Sequence, residues 1–98
     1  MITLLVRHKV ADYERWKAAF DQQMAVRHHG GERSCRIFRS ADDPNELTLL
    51  FEWEDLNRAR SFMNSPEARS YIQQAGVTGV PEIHFLTEMY TVRRSAAD

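Results

Sequence analysis

Apolar and polar residues alternate over positions 2–10, with Ile2, Leu4, Val6, His8 and Val10 on one side and Thr3, Leu5, Arg7 and Lys9 on the other. That is the two-residue period of a strand. The period then changes. Asp12 precedes Tyr13, Trp16, Phe20 and Met24, spaced three or four apart, so an N-capped helix with one apolar stripe is expected, ending at Gly30. Residues 33–39 alternate again, with Cys35 and Ile37 set against Ser34, Arg36 and Phe38. The polar stretch from Ser40 to Asn45 has turn chemistry, and the clearest strand pattern follows it over 47–53, with Leu47, Leu49, Phe51 and Trp53 on one face. A hairpin of the second and third strands is predicted. Asp55 caps a second helix that Ser65-Pro66-Glu67 should break or kink, since a cap residue followed by proline starts a new helix. That helix runs on to Gly76, Val77–Pro81 leads out of it, and a last strand is expected over 82–90.

Strand, helix, strand, strand, helix, strand is the split βαβ order. Right-handed crossovers put both helices on one face of a four-stranded antiparallel sheet, giving a ferredoxin-like α+β domain. Leu4, Val6, Val10, Ile37, Leu49, Phe51, Trp53, Ile83 and Phe85 should face the helices. The opposite face would carry Leu5, Phe38, Leu50, Leu86 and Tyr90 among Arg7, Lys9, Arg36, Glu52, His84 and Glu88. A sheet apolar on both faces with helices for only one predicts a homodimer that packs sheet against sheet.

At 98 residues the chain has room for one core. It is divided here into a domain over 1–92 and a mobile polar tail over 93–98. Thirteen Lys and Arg against fourteen Asp and Glu give no positive field for nucleic acid or an anionic membrane. No apolar run reaches the roughly 18 residues of a membrane span, and the N-terminal run is too short for a signal peptide. With Cys35 alone, no internal disulfide can form, and a cytoplasmic location is expected. His28 and His29 are metal-ligand types, but neighbours on a helix point apart, so no metal site is assigned. Cys35 is read as an inert half-buried thiol and Arg58, Arg60 and Arg69 as a solvated helix face.

Several stretches carry a family likeness: Val6-Arg-His-Lys-Val-Ala-Asp-Tyr-Glu-Arg-Trp16, Ala41-Asp-Asp-Pro-Asn-Glu46, Leu50-Phe-Glu-Trp-Glu-Asp55 with Ala59-Arg-Ser-Phe62, and Ser65-Pro66-Glu67. Over about residues 2–88 the chain resembles the antibiotic biosynthesis monooxygenase superfamily. The resemblance implies a dimeric α+β barrel, each subunit holding a pocket between its own sheet and helices. It also implies chemistry on a small aromatic or polyketide-type molecule with no cofactor, as a monooxygenase or a cyclase. His8 stands where the family's oxidising members carry an Asn, Phe62 near their Trp and Tyr71 near their His. The His that ligates iron in haem-degrading members is absent, so that activity is not implied.

In such a fold the first and third strands are expected to lie adjacent and parallel, bringing His8 and Trp53 to one end of the pocket. His8 is then the candidate acid or base, beside an aromatic wall completed by Tyr13, Trp16, Phe20, Phe62, Met63, Tyr71 and Phe85. Two alternatives stand against this. His8 could simply bond the cap region at Asp12 with the aromatics as core, and the protein could be a non-catalytic binding or structural dimer. An open cavity beside His8 and Trp53 would separate these readings.

Overall fold

A computed structural model describes residues 1–95. Its elements are β1 (Ile2–Val10), α1 (Tyr13–Gln22), α2 (Met24–Gly30), β2 (Glu32–Arg39), β3 (Glu46–Trp53), α3 (Leu56–Met63), α4 (Pro66–Gln74) and β4 (Val77–Leu86). The strands form one sheet in the order β2-β3-β1-β4, antiparallel throughout. In the central pair Leu4 lies opposite Phe51 and Val6 opposite Leu49, which places the two richest apolar faces on the same side. That side is the buried one: Leu4, Val6, Val10, Leu47, Leu49, Phe51 and Trp53 join Trp16 and Phe20 of α1 in the core, with Ile37, Ile83 and Phe85 packed at its margin. This is the expected ferredoxin-like α+β architecture.

The helix starts follow from their caps. Asp12, Asp55 and Ser65 each accept a hydrogen bond from the backbone N–H three residues on, at 3.1, 2.8 and 3.2 Å. Pro66 opens α4, where a missing N–H costs nothing. The break expected at Ser65-Pro66 is therefore present.

Two boundaries differ from the sequence expectation. The first helix is not continuous to Gly30, because the chain turns at Gln23, whose N–H bonds to the Phe20 carbonyl. Met24, the next residue of the apolar stripe, is consequently exposed, and Arg27 is turned inward instead. The left-handed residue that closes α2 is Gly31, at φ 117°, rather than Gly30. The last strand begins five residues early, at Val77, and stops at Leu86. A register shift between Arg7 and Lys9 accommodates the early start, and Pro81 is tolerated because β4 is an edge strand with no ladder partner on one side. Val77–Pro81 is thus strand, while Glu88 and Tyr90 lie beyond the sheet in a stretch, 87–95, without regular structure. Of the tail placed at 93–98, residues 96–98 lie outside the described residues.

The outer face of the sheet is mixed. Leu5 and Leu50 are half-buried at its centre and Phe38 and Leu86 exposed at its margins. Around them run Arg7 paired with Glu46, Thr3 donating to Glu52, and His84 beside Glu82.

Candidate functional site

Between sheet and helices the aromatic side chains form a continuous series. The His8 and Trp16 rings meet edge-on at 5.7 Å, Trp16 stacks on Phe20 at 5.0 Å, and Phe20 lies 6.3 Å from Phe51. Phe51 then meets Trp53 at 5.9 Å, and Trp53 lies 5.1 Å from Phe62. Tyr13 flanks Trp16 at 6.0 Å with the Arg39 guanidinium over its outer side.

His8 stands at one end of this series and Trp53 next to the other, contrary to the expectation that the two share one end of the pocket. The reason is strand direction. β1 and β3 are antiparallel, so His8 lies opposite Leu47 while Trp53 lies opposite Ile2. Six residues of strand separate Ile2 from His8, about 20 Å at ~3.4 Å per residue. Neither residue lines the open clefts beside Gly30, Gln74, Met24 and Tyr13 or the small cavity beside Arg27.

At the first end, His8 is buried and its Nδ1 has no hydrogen-bond partner; the neighbouring Trp16 Nε1 is likewise buried and unpartnered. The bond to the cap region is not made, since the Asp12 carboxylate serves the Arg15 N–H. Burial lowers the His8 pKa, outweighing the raising effect of its own backbone. The imidazole is thus neutral near neutral pH and can accept a proton.

A second group of polar side chains is built around Arg27, which lies over Phe20 and borders a cavity with Phe62, and which the sequence pattern did not single out. Its Nε donates to Glu32 at 2.8 Å and its Nη1 to the Phe20 carbonyl at 2.7 Å, and the guanidinium lies 3.6 Å from the Phe20 ring centroid. Both partners of this ion pair are about nine-tenths buried. Arg27, Gln23, Val26, Phe62, Glu67, Ala68 and Tyr71 enclose a cavity of about 30 Å³, and the Tyr71 hydroxyl is buried without a partner. Burial pushes the Tyr71 hydroxyl pKa up, so it remains a protonated donor. Burial, reinforced by Glu32, pushes the Cys35 thiol up to about 12, so its thiolate is not available for nucleophilic work. Phe62 also borders an open cleft of about 390 Å³ with Gly30, Asn57, Arg58 and Ser61. Met63 and Phe85 are half-buried against the core, and neither borders the enclosed cavity. His28 and His29 are exposed at the end of α2, and no group of three or more potential metal-ligating side chains occurs among the described residues.

No family model and no curated protein matches the chain. Solved structures do. SnoaB of Streptomyces nogalater, a cofactor-independent oxygenase, superposes with a TM-score of 0.77 at 18% identity, over 95% of this chain and 97% of its own. An antibiotic biosynthesis monooxygenase gives 0.67 at 9% identity, over 92% and 100%. The monooxygenase ActVA-Orf6 of Streptomyces coelicolor, solved with Nanaomycin D, gives 0.68 at 17%, over 96% and 92%. The chain has the antibiotic biosynthesis monooxygenase fold.

Within that fold, the three positions where the sequence resemblance located functional residues do not converge on one point. His8 sits at the Trp16 end of the interior, whereas Phe62 and Tyr71 border the enclosed cavity beside Arg27. The buried polar atoms without a partner are thus His8 Nδ1 and Trp16 Nε1 at one place and the Tyr71 hydroxyl at another. No helix of the described residues is long and apolar enough to cross a membrane.

Proposed function

We propose that the protein is a monooxygenase-like enzyme that acts, without an added cofactor, on an extended aromatic molecule admitted between sheet and helices. The observation that carries this reading is His8: a buried imidazole, held neutral, with an unpartnered nitrogen beside the unpartnered indole N–H of Trp16. Likeness in fold to SnoaB and ActVA-Orf6 supports it. On an anthrone-type substrate, His8 takes a proton from the ring methylene, and the resulting carbanion gives up electrons to molecular oxygen. Carbon and oxygen then join as a peroxide, which takes the proton back from the His8 imidazolium. Loss of water from the peroxide leaves a carbonyl, so one oxygen atom enters the product and the other leaves as water. Burial holds the imidazole in its unprotonated form, the form that can take a proton.

That neither His8 nor Trp53 borders a cleft favours a second reading, a non-catalytic binding dimer whose interior is filled by its own side chains. Oxygen uptake separates the two. Purified protein with 1,8-dihydroxyanthrone should consume oxygen and form the dihydroxyanthraquinone faster than buffer does; a rate equal to that of buffer, with this and related multi-ring phenols, supports the binding dimer.

The homodimer belongs to the same proposal. Leu5, Leu50, Phe38 and Leu86 on the outer face offer apolar contact, while the Arg7–Glu46 pair offers opposite charges to a second copy. Sedimentation equilibrium should give twice the chain mass at micromolar concentration, and Leu50→Arg should reduce it to the chain mass. A wild-type monomer under those conditions contradicts the dimer.

A further inference from the structure

We infer that the stretch after β4, residues 87–92, is an arm that docks on a second copy of the chain, along the open edge of that copy's β2, with Tyr90 and Val92 in the groove between β2 and α2. The inference rests on the proposed homodimer and adds to it a contact outside the sheet face. Two features that the core leaves unused carry it. The first is the arm itself. Thr87, Tyr90, Thr91 and Val92 are strand-forming types, yet the segment has no regular structure, and Met89, Tyr90 and Val92 are 89, 83 and 69% exposed. Leu86 is paired with Thr3 and β1 begins at Ile2, so past Leu86 the arm has no strand beside it. The second is a groove of about 560 Å³ with a mainly apolar wall, formed by Met24, Ala25 and His28 of α2 with Asp21 of α1 and Arg33 of β2. The turn at Gln23 puts Met24 there, 59% exposed. Each feature supplies the apolar partner that the other lacks.

The sheet edges decide where the arm lies. On β4, Gly79, Val80 and Pro81 stand opposite the single residue His8, and Pro81 has no N–H, so a straight strand cannot pair along that edge. The other edge, β2, is regular from Ser34 to Arg39. Placed antiparallel to it with Tyr90 opposite Cys35, the arm sets Val92 opposite Arg33 at the groove, on the side where Cys35 and Ile37 meet the core. Glu88 then lies diagonal to Arg39, and Met89 turns to the outer face, where Phe38 is exposed. The arm cannot do this on its own chain. β4 and β2 are three strand spacings apart, about 14 Å at ~4.8 Å each, and residues 87–90 are used up in crossing at ~3.4 Å each. That path would also lay Met89 over the charged group of Glu54 with Arg33 and Arg58.

The test is thiol pairing between copies, in protein carrying Cys35→Ser. Copies with Met24→Cys are mixed with copies with Tyr90→Cys and oxidised with glutathione disulfide; both positions are exposed, so neither change disturbs the core. By intact mass, the disulfide that joins the two kinds of copy should exceed either like-with-like disulfide at least tenfold. A chain carrying both changes should cross-link at twice the chain mass and not within itself. In sedimentation equilibrium, Tyr90→Arg should weaken the dimer at least tenfold while the far-ultraviolet circular dichroism is unchanged. A disulfide within one chain, no excess of the mixed disulfide, or an unweakened Tyr90→Arg dimer, in each case with a dimeric wild type, would overturn the arm and leave the sheet-face dimer standing. A monomeric wild type would overturn both.

Discussion

Replacing His8 with alanine is expected to slow oxidation of 1,8-dihydroxyanthrone by about 10²–10⁴-fold, the range over which a positioned acid or base contributes. His8→Gln should do nearly the same while filling more of the space, which separates lost proton transfer from a cavity left in the core. The pH dependence follows from burial. With the folded-state pKa lowered, His8 stays unprotonated into mildly acidic solution, so the acid limb of kcat/KM should fall below the ordinary histidine value of about 6.5. Stability carries the same signature. As pH drops past the unfolded value, the unfolded chain takes up a proton that the native state resists, so the native state loses stability on going down from about pH 6.5 toward the lowered folded value. Denaturant midpoints between pH 7.5 and 5 should show a component of this decline that His8→Gln removes. An acid limb that survives in His8→Gln with near-wild-type rates would remove the residue from the mechanism.

Glu32→Ala should cost about 3–5 kcal/mol of folding stability, the range found when one member of a buried ion pair is deleted and the other remains. The residue joins the start of β2 to Arg27 on α2, and Arg27 in turn lies against Phe20. Without the carboxylate, the guanidinium keeps its contact with the Phe20 carbonyl but has no countercharge in an apolar setting. The double replacement Arg27→Met with Glu32→Leu should recover most of the loss, since apolar substitutes for a buried pair are often neutral or better. Urea titration of the three variants measures both effects. A cost near zero for Glu32→Ala would mean that the pair is solvated in solution and contributes only at the surface scale.

Much of the fold could be read from the chain because each element combined a period with a boundary residue. Leu47 to Trp53 alternated cleanly, Asp12, Asp55 and Ser65 capped the helices as their positions suggested, and Pro66 marked the second break. The failures have specific causes. Met24 continued the α1 stripe in sequence, but the turn at Gln23 rephased the helix so that an arginine, stacked on Phe20, took the inward position. Gly79 and Pro81 signalled a loop, yet an edge strand with a register shift holds both. The His8 and Trp53 pairing failed on strand direction alone: both side chains face the helices, as alternation required, but the antiparallel register separates them along the sheet. Arg27 was hidden because charge is taken as a sign of exposure; the nearby Glu32, five residues on across a glycine pair, was the only hint of a buried partner.

The most direct measurement is the fate of labelled oxygen when the purified protein oxidises 1,8-dihydroxyanthrone under ¹⁸O₂ in ordinary water, without added flavin or metal. Protein-dependent formation of the anthraquinone, with one labelled oxygen atom per molecule and loss of that rate in His8→Gln, is the predicted result. A product carrying its new oxygen from water, or no product above the buffer reaction, would contradict the account.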